Sequence, residues 1–114
     1  MTEQPSDRLA ATLRPYRENP GIVAALLISR DGFVVAADVD ESVDATAVAA
    51  LLGGVLDVGA RLAAELGQRE TRHVFIELDN RTVLVSPFGD ELLMALVGEA
   101  AALTCEYRLR RPGA

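Results

Sequence analysis

Residues 44–67 read DATAVAALLGGVLDVGARLAAELG, and the placement of this stretch decides the fold. The spacing predicts one long helix. The Asp44 carboxylate can accept from the unpaired amides of the first turn, and Gly67 can end the helix in the left-handed conformation. Val48, Leu52, Val55, Gly59, Leu62 and Leu66 recur at three- and four-residue steps and form one stripe, with Leu51 on its shoulder. That stripe is expected to face a sheet. The opposite side is small and nearly uncharged: Ala50, Gly53, Gly54, Ala60 and Ala64, with Thr46, Asp57, Arg61 and Glu65 as the polar residues. A helix that is apolar almost all round is normally buried on more than one side. At about 1.5 Å per residue it reaches roughly 35 Å. A domain of this size, with a radius of gyration near ~13 Å, is only about that wide. One small core cannot cover both faces, so a second chain is expected over Ala50, Gly53, Gly54, Asp57, Arg61 and Ala64.

The chain has 114 residues, enough for one domain, 1–114, with a polar lead (1–5) and a loose tail (111–114) expected to be flexible. Aromatic residues are 4% and Trp is absent, so the core is aliphatic and platforms for stacking bases are scarce. A net charge of -6 argues against nucleic acid as the partner. All 11 basic residues are Arg, which excludes Schiff-base lysine chemistry and a phosphate-loop lysine. One cysteine, Cys105, cannot close an internal disulfide and fits a reducing cytoplasm. The N-terminus lacks a signal-peptide core, and no apolar run is read as long enough to insert in a membrane. A cytoplasmic protein is expected.

Working outward, a short helix is expected from Ser6 or Asp7, as its cap, to Arg17, kinked or ended early by Pro15. Ile22 to Ser29 is apolar on both alternating faces and reads as a central strand. Arg30-Asp31-Gly32 turns the chain back into a strand from Phe33 to Asp38. Beyond the long helix, Arg72 to Asp79 alternates, with Val74, Ile76 and Leu78 on one face and His73, Phe75 and Glu77 on the other. Turns at Asp79–Arg81 and Pro87–Asp90 separate it from strands Thr82–Ser86 and Glu91–Val97, and Glu99 to Arg110 can form a last helix. Two antiparallel ribbons flanking a long helix define an α+β sandwich.

A reaction centre is not legible. His73 stands alone in a strand, and lone histidines usually pack or face solvent. Cys105 lacks the basic and histidine setting of a reactive thiol. The acidic loop Asp38, Asp40, Glu41, Asp44 lacks the sixth-position glycine of a calcium loop, and Ala49 stands where the twelfth-position Glu belongs. It reads as a solvated loop and helix cap. Gly53-Gly54 belongs to no phosphate loop. Asp57, Arg61 and Glu65, at four-residue steps, are expected to form helix ion pairs. Arg108, Arg110 and Arg111 read as a solvated tail. No catalytic residue, cofactor or metal is expected.

GIVAALLISRDGFVVA, the acidic linker, the small-residue helix and HVFIELDNRTVLVSPFGDELLMALV together resemble the Roadblock/dynein light chain family over roughly Leu9 to Leu109. Ser29-Arg30-Asp31-Gly32 and the Gly89-Asp90 turn before LLMALV carry the resemblance most. It implies a five-stranded antiparallel sheet of order 2-1-5-4-3, with the long helix on one face and short terminal helices on the other. It further implies dimers in which the third strands, here His73, Val74, Phe75, Ile76 and Glu77, pair edge to edge and the long helices meet. An edge strand that is apolar on one face needs such a cover. Members are non-catalytic platforms for Ras-like small GTPases, among them the partner of a bacterial gliding-motility polarity GTPase, or scaffolds of motor and signalling complexes. The expected function is a homodimeric regulator or effector platform for a small GTPase in bacterial signalling or polarity. The alternative is an adaptor indifferent to nucleotide state.

Overall fold

The computed structural model describes residues 5–104. The lead before Pro5, Cys105, the rest of the expected last helix and the arginine tail lie outside the described residues. The elements run α1 (Pro5–Arg17), β1 (Ile22–Ser29), β2 (Val34–Val39), α2 (Ala45–Leu52), α3 (Val55–Glu65), β3 (Val74–Glu77), β4 (Thr82–Phe88) and β5 (Leu92–Gly98). A final helical turn occupies 100–104. The strands form one sheet in the order β2-β1-β5-β4-β3, with every neighbouring pair antiparallel. The sheet order is therefore the expected one.

β1 is central and buried on both faces, as its unbroken apolar run requires. On one face Ala24, Leu26, Ile28, Val83, Val85, Leu93 and Ala95 pack with Ala49, Leu52 and Leu56 from α2 and α3. On the other, Ala25, Leu27, Leu84, Met94 and Leu96 pack with Leu13 of α1 and Leu103. The Arg17 guanidinium fastens α1 to the sheet, donating through Nε to Asp38 at 3.1 Å and through its terminal nitrogen to the Ile22 carbonyl at 2.7 Å.

β2 and β5 are each displaced by one residue from the sequence-based expectations, and α1, β4 and β3 differ from them further. α1 already includes Ser6 and Asp7, and runs through Pro15 to Arg17. A proline is tolerated at the start of a helix. At the far end, Glu18 and Asn19 close the last turn by donating to the Arg14 and Tyr16 carbonyls. β4 extends through Pro87, which was expected in a turn. β3 pairs with β4 only as far as Val85, so Pro87 has no strand on its second side to demand an amide. β3 itself is four residues long, shorter than the expected Arg72–Asp79.

Candidate partner-binding surface

The expected single helix is interrupted at Gly53-Gly54. Its ends are as read. Asp44 Oδ1 accepts from the Ala47 amide at 3.1 Å. Gly67 takes φ +70°, with the Gln68 amide on the Ala63 carbonyl and the Gly67 amide on Ala64. That is the paired bonding of a glycine-terminated helix.

Which side faces the sheet differs from the expectation. Ala49, Leu52, Leu56 and Ala63 are buried, with Val48 and Val55 partly so, while Leu62 is 59% and Leu66 66% exposed. The cause is a backbone contact. The β1–β2 turn is closed by the Gly32 amide on the Ser29 carbonyl and the Ser29 amide on the Phe33 carbonyl, with Gly32 at φ +89°. Gly53 lies on this turn: a Cβ there would stand 2.6 Å from the Gly32 Cα and 3.3 Å from the Arg30 carbonyl oxygen. This approach sets Ala49, Leu52, Gly53, Leu56 and Ala63 inward and leaves Leu51, Val58, Leu62 and Leu66, at steps of seven, four and four, facing outward.

Of the six helix residues expected to meet a partner, Gly53 is therefore corrected: it is buried against the turn. Ala50, Gly54, Asp57, Arg61 and Ala64 are exposed, and a Cβ on Gly54 would meet nothing within 4 Å. The expected Asp57–Arg61 and Arg61–Glu65 pairs do not form. Asp57 instead accepts from Arg30 at 3.5 Å, and Arg30 also donates to the Asp90 carbonyl at 3.2 Å. One arginine thus ties the β1–β2 turn, the β4–β5 turn and α3 together.

Between α2 and the β3 side of the sheet lies a largely apolar groove of about 660 Å³. Val48, Leu51, Leu52, Val55, Ile76, Leu78 and Val83 line it, with Ser42, Asp44 and Arg81 among its polar residues. α2 lies over β1 and β2 and α3 over β3 and β4, and the groove opens beside α2. β3 is the outer strand here, with Phe75 42% and Leu78 60% exposed. His73 precedes β3 and is half-buried. The groove was not read from the sequence; its one local signal was Leu78, which continues the Val74, Ile76 alternation past the strand end.

Among the described residues no group of three or more His, Cys, Asp and Glu side chains is placed to hold a metal ion. In the acidic loop, Asp40 accepts from the Ser42 amide at 2.9 Å, which, with a further Ser42 contribution, holds its carboxyl below the ordinary 3.8. Ala45–Glu65, at 21 residues and mean hydropathy 1.6, is by length and composition apolar enough to cross a bilayer, against the sequence-based expectation. Its inner side, however, belongs to the core of the domain through Ala49, Leu52 and Leu56.

An antiparallel sheet with a helical layer left open on its outer side defines an α+β sandwich that presents an exposed helix surface beside an apolar groove. A family model for the Roadblock/LC7 domain matches residues 8–98, and the chain belongs to that family. Two uncharacterised proteins of Methanocaldococcus jannaschii are each 30% identical over 84 residues, 74% of this chain and 74% of theirs. Among solved structures, MglB of Myxococcus xanthus superposes with a TM-score of 0.81 at 18% identity, over 96% of this chain and 84% of that one. The gliding protein MglB of Thermus thermophilus gives 0.79 at 24% identity with the same coverages. A Roadblock/LC7 domain from Streptomyces avermitilis gives 0.72 at 28% identity, over 90% of this chain and 88% of that one.

Proposed function

We infer that this chain is a dimeric, non-catalytic platform that regulates or reads a Ras-like small GTPase in the bacterial cytoplasm. The observation that carries the reading is the continuous apolar surface formed by Leu51, Val58, Leu62 and Leu66, the groove beside them and the open β3 edge. An isolated domain gains nothing by leaving several large aliphatic side chains exposed in one place. Family membership supports the reading, since its solved relatives include MglB, one described in a tetrameric arrangement.

The two stripes divide the work. The large aliphatic stripe borders the groove and receives a second copy. The adjoining small-residue stripe, Ala50, Gly54, Asp57, Arg61 and Ala64, is shallow enough for a GTPase to lie on. The test uses light scattering and co-purification with the small GTPases of the same genome, loaded with GDP or GTP. Leu51→Glu should yield monomer. Gly54→Arg should keep the dimer and lose the GTPase. A wild-type monomer at micromolar concentration overturns the dimer, and unchanged GTPase binding by Gly54→Arg overturns the surface. Equal capture of the GDP and GTP forms points to an adaptor instead.

A further inference from the structure

We propose that β2 takes on a further antiparallel strand from a partner protein, an extended segment in which apolar and basic residues alternate. The site lies at the edge of the sheet away from β3. It goes beyond the function inferred above and does not depend on it.

The open groups follow from the ladder. The Asp40 amide donates to the Val23 carbonyl at 2.8 Å. In the same register Asp38 stands opposite Ala25 and Ala36 opposite Leu27. Alternate residues of an antiparallel strand direct their backbone groups to one neighbour, so Asp40, Asp38 and Ala36 bond to β1. The amides and carbonyls of Ala37 and Val39 point the other way. β2 is the outermost strand there, and among the described residues no group bonds to these four.

The open stretch is bounded at both ends. Val34 stands opposite Ile28 and Ala36 opposite Leu27, which makes Val35 the extra residue of a bulge. Past Val39 the chain enters the acidic loop. Regular pairing is thereby confined to Ala37 and Val39, with Asp38 between them.

A second copy fits this stretch badly. The twofold pairing that uses all four groups, without recruiting the bulge or the loop, is centred on Asp38 and sets Ala37 opposite Val39. It places the Asp38 carboxylate against its twin and brings together two loops that carry Asp40, Glu41 and Asp44. Like charges directly opposite in a ladder are destabilising.

A basic residue at that place reverses the sign. Asp38 gives one oxygen to Arg17 and is 40% exposed. The partner residue opposite it belongs to a non-hydrogen-bonded pair, whose Cα atoms lie only about 4.5 Å apart. An arginine or lysine there reaches the carboxylate, and a second one, two positions along, meets Asp40. The residues opposite Ala37 and Val39 fall on the other face, where those two side chains pack against the core under α2, and are therefore apolar.

The test uses two capped peptides, one alternating valine with arginine and one alternating valine with glutamate. The arginine peptide should bind and slow exchange of the Ala37 and Val39 amides, leaving that of Asp38 unchanged. Ala37→Pro should abolish binding and keep the fold, since proline is tolerated on an edge strand where the amide faces solvent. Methylating the peptide at its ladder amides should weaken binding to the parent protein by about tenfold or more, which reads the same bonds without altering the protein. No binding of the arginine peptide at millimolar concentration overturns the site. Equal binding of the glutamate peptide overturns the charge match. Binding that survives both Ala37→Pro and methylation, or slowed exchange along β3 in place of β2, overturns the pairing.

Discussion

The backbones of Gly53 and Gly32 touch, so that a methyl group on Gly53 would stand 2.6 Å from the Gly32 Cα and 2.7 Å from its nitrogen. The turn after β1 and the junction of α2 with α3 are thereby held at the closest separation that two chains permit. This contact sets which side of the helix faces the sheet, and so which aliphatic side chains are left outside for a partner.

Gly53→Ala should cost about 2 to 3 kcal/mol, because the atoms it meets are backbone and cannot rotate away. Gly54→Ala, one residue on, should gain about 0.5 to 1 kcal/mol by restricting the unfolded chain and favouring the helix. Its φ of -96° suits any residue, and its added methyl would touch nothing within 4 Å. Urea unfolding of the two variants beside the parent measures both. Equal effects of one sign would mean that the glycine pair acts only through helix propensity.

The same contact explains where the sequence was readable and where it was not. The unbroken apolar run of β1 announced a central strand, and Asp44 and Gly67 announced both helix ends, because each is a local rule. The face of the helix is not local. Reading Leu62 and Leu66 inward assumed that the largest side chains point to the core. Here a glycine contact between segments far apart in sequence brings the helix so near that Ala49 and Ala63 suit the inner side better. Gly32 concealed this, since its positive φ already explained why a glycine stands in that turn. Pro87 was misread for a related reason: its place in a strand depends on how far the neighbouring β3 extends. Among the helix residues expected to meet a partner, all but Gly53 are exposed, while the groove, assembled from α2, β3, β4 and β5, had no linear pattern to find.

Arg17 is predicted to matter more through the Ile22 carbonyl than through Asp38. The Arg17 and Asp38 side chains are 25% and 40% exposed, and water screens a pair so placed. Arg17→Ala should cost about 1 to 2 kcal/mol, from the lost hydrogen bond and the lost packing of its stem. A double-mutant cycle of Arg17→Met with Asp38→Asn, read by urea unfolding, should return a coupling below about 1 kcal/mol. A coupling as large as the whole Arg17→Ala effect would show that the ion pair, and not the carbonyl, holds α1 on the sheet.

Asp40 should make the fold sensitive to acid. Its carboxylate accepts from the Ser42 amide at 2.9 Å, and this bond, with a second contribution from the Ser42 side chain, favours the ionised form and lowers the folded pKa below 3.8. A carboxyl whose pKa is depressed by folding stabilises the native state fully above its unfolded value. That contribution is lost as pH falls through the lower, folded one. Asp40→Asn keeps an oxygen that can accept from Ser42 but binds no proton in this range. The stability difference between parent and variant should be constant above about pH 5 and should shrink on descending below the ordinary aspartate value near ~3.9. Urea midpoints taken from neutral pH to about pH 3 measure it, set against the ordinary aspartate range. A difference that stays flat to the lowest pH would show that the Ser42 bond does not distinguish the charged carboxylate from its neutral replacement, and would remove Asp40 as a source of acid sensitivity.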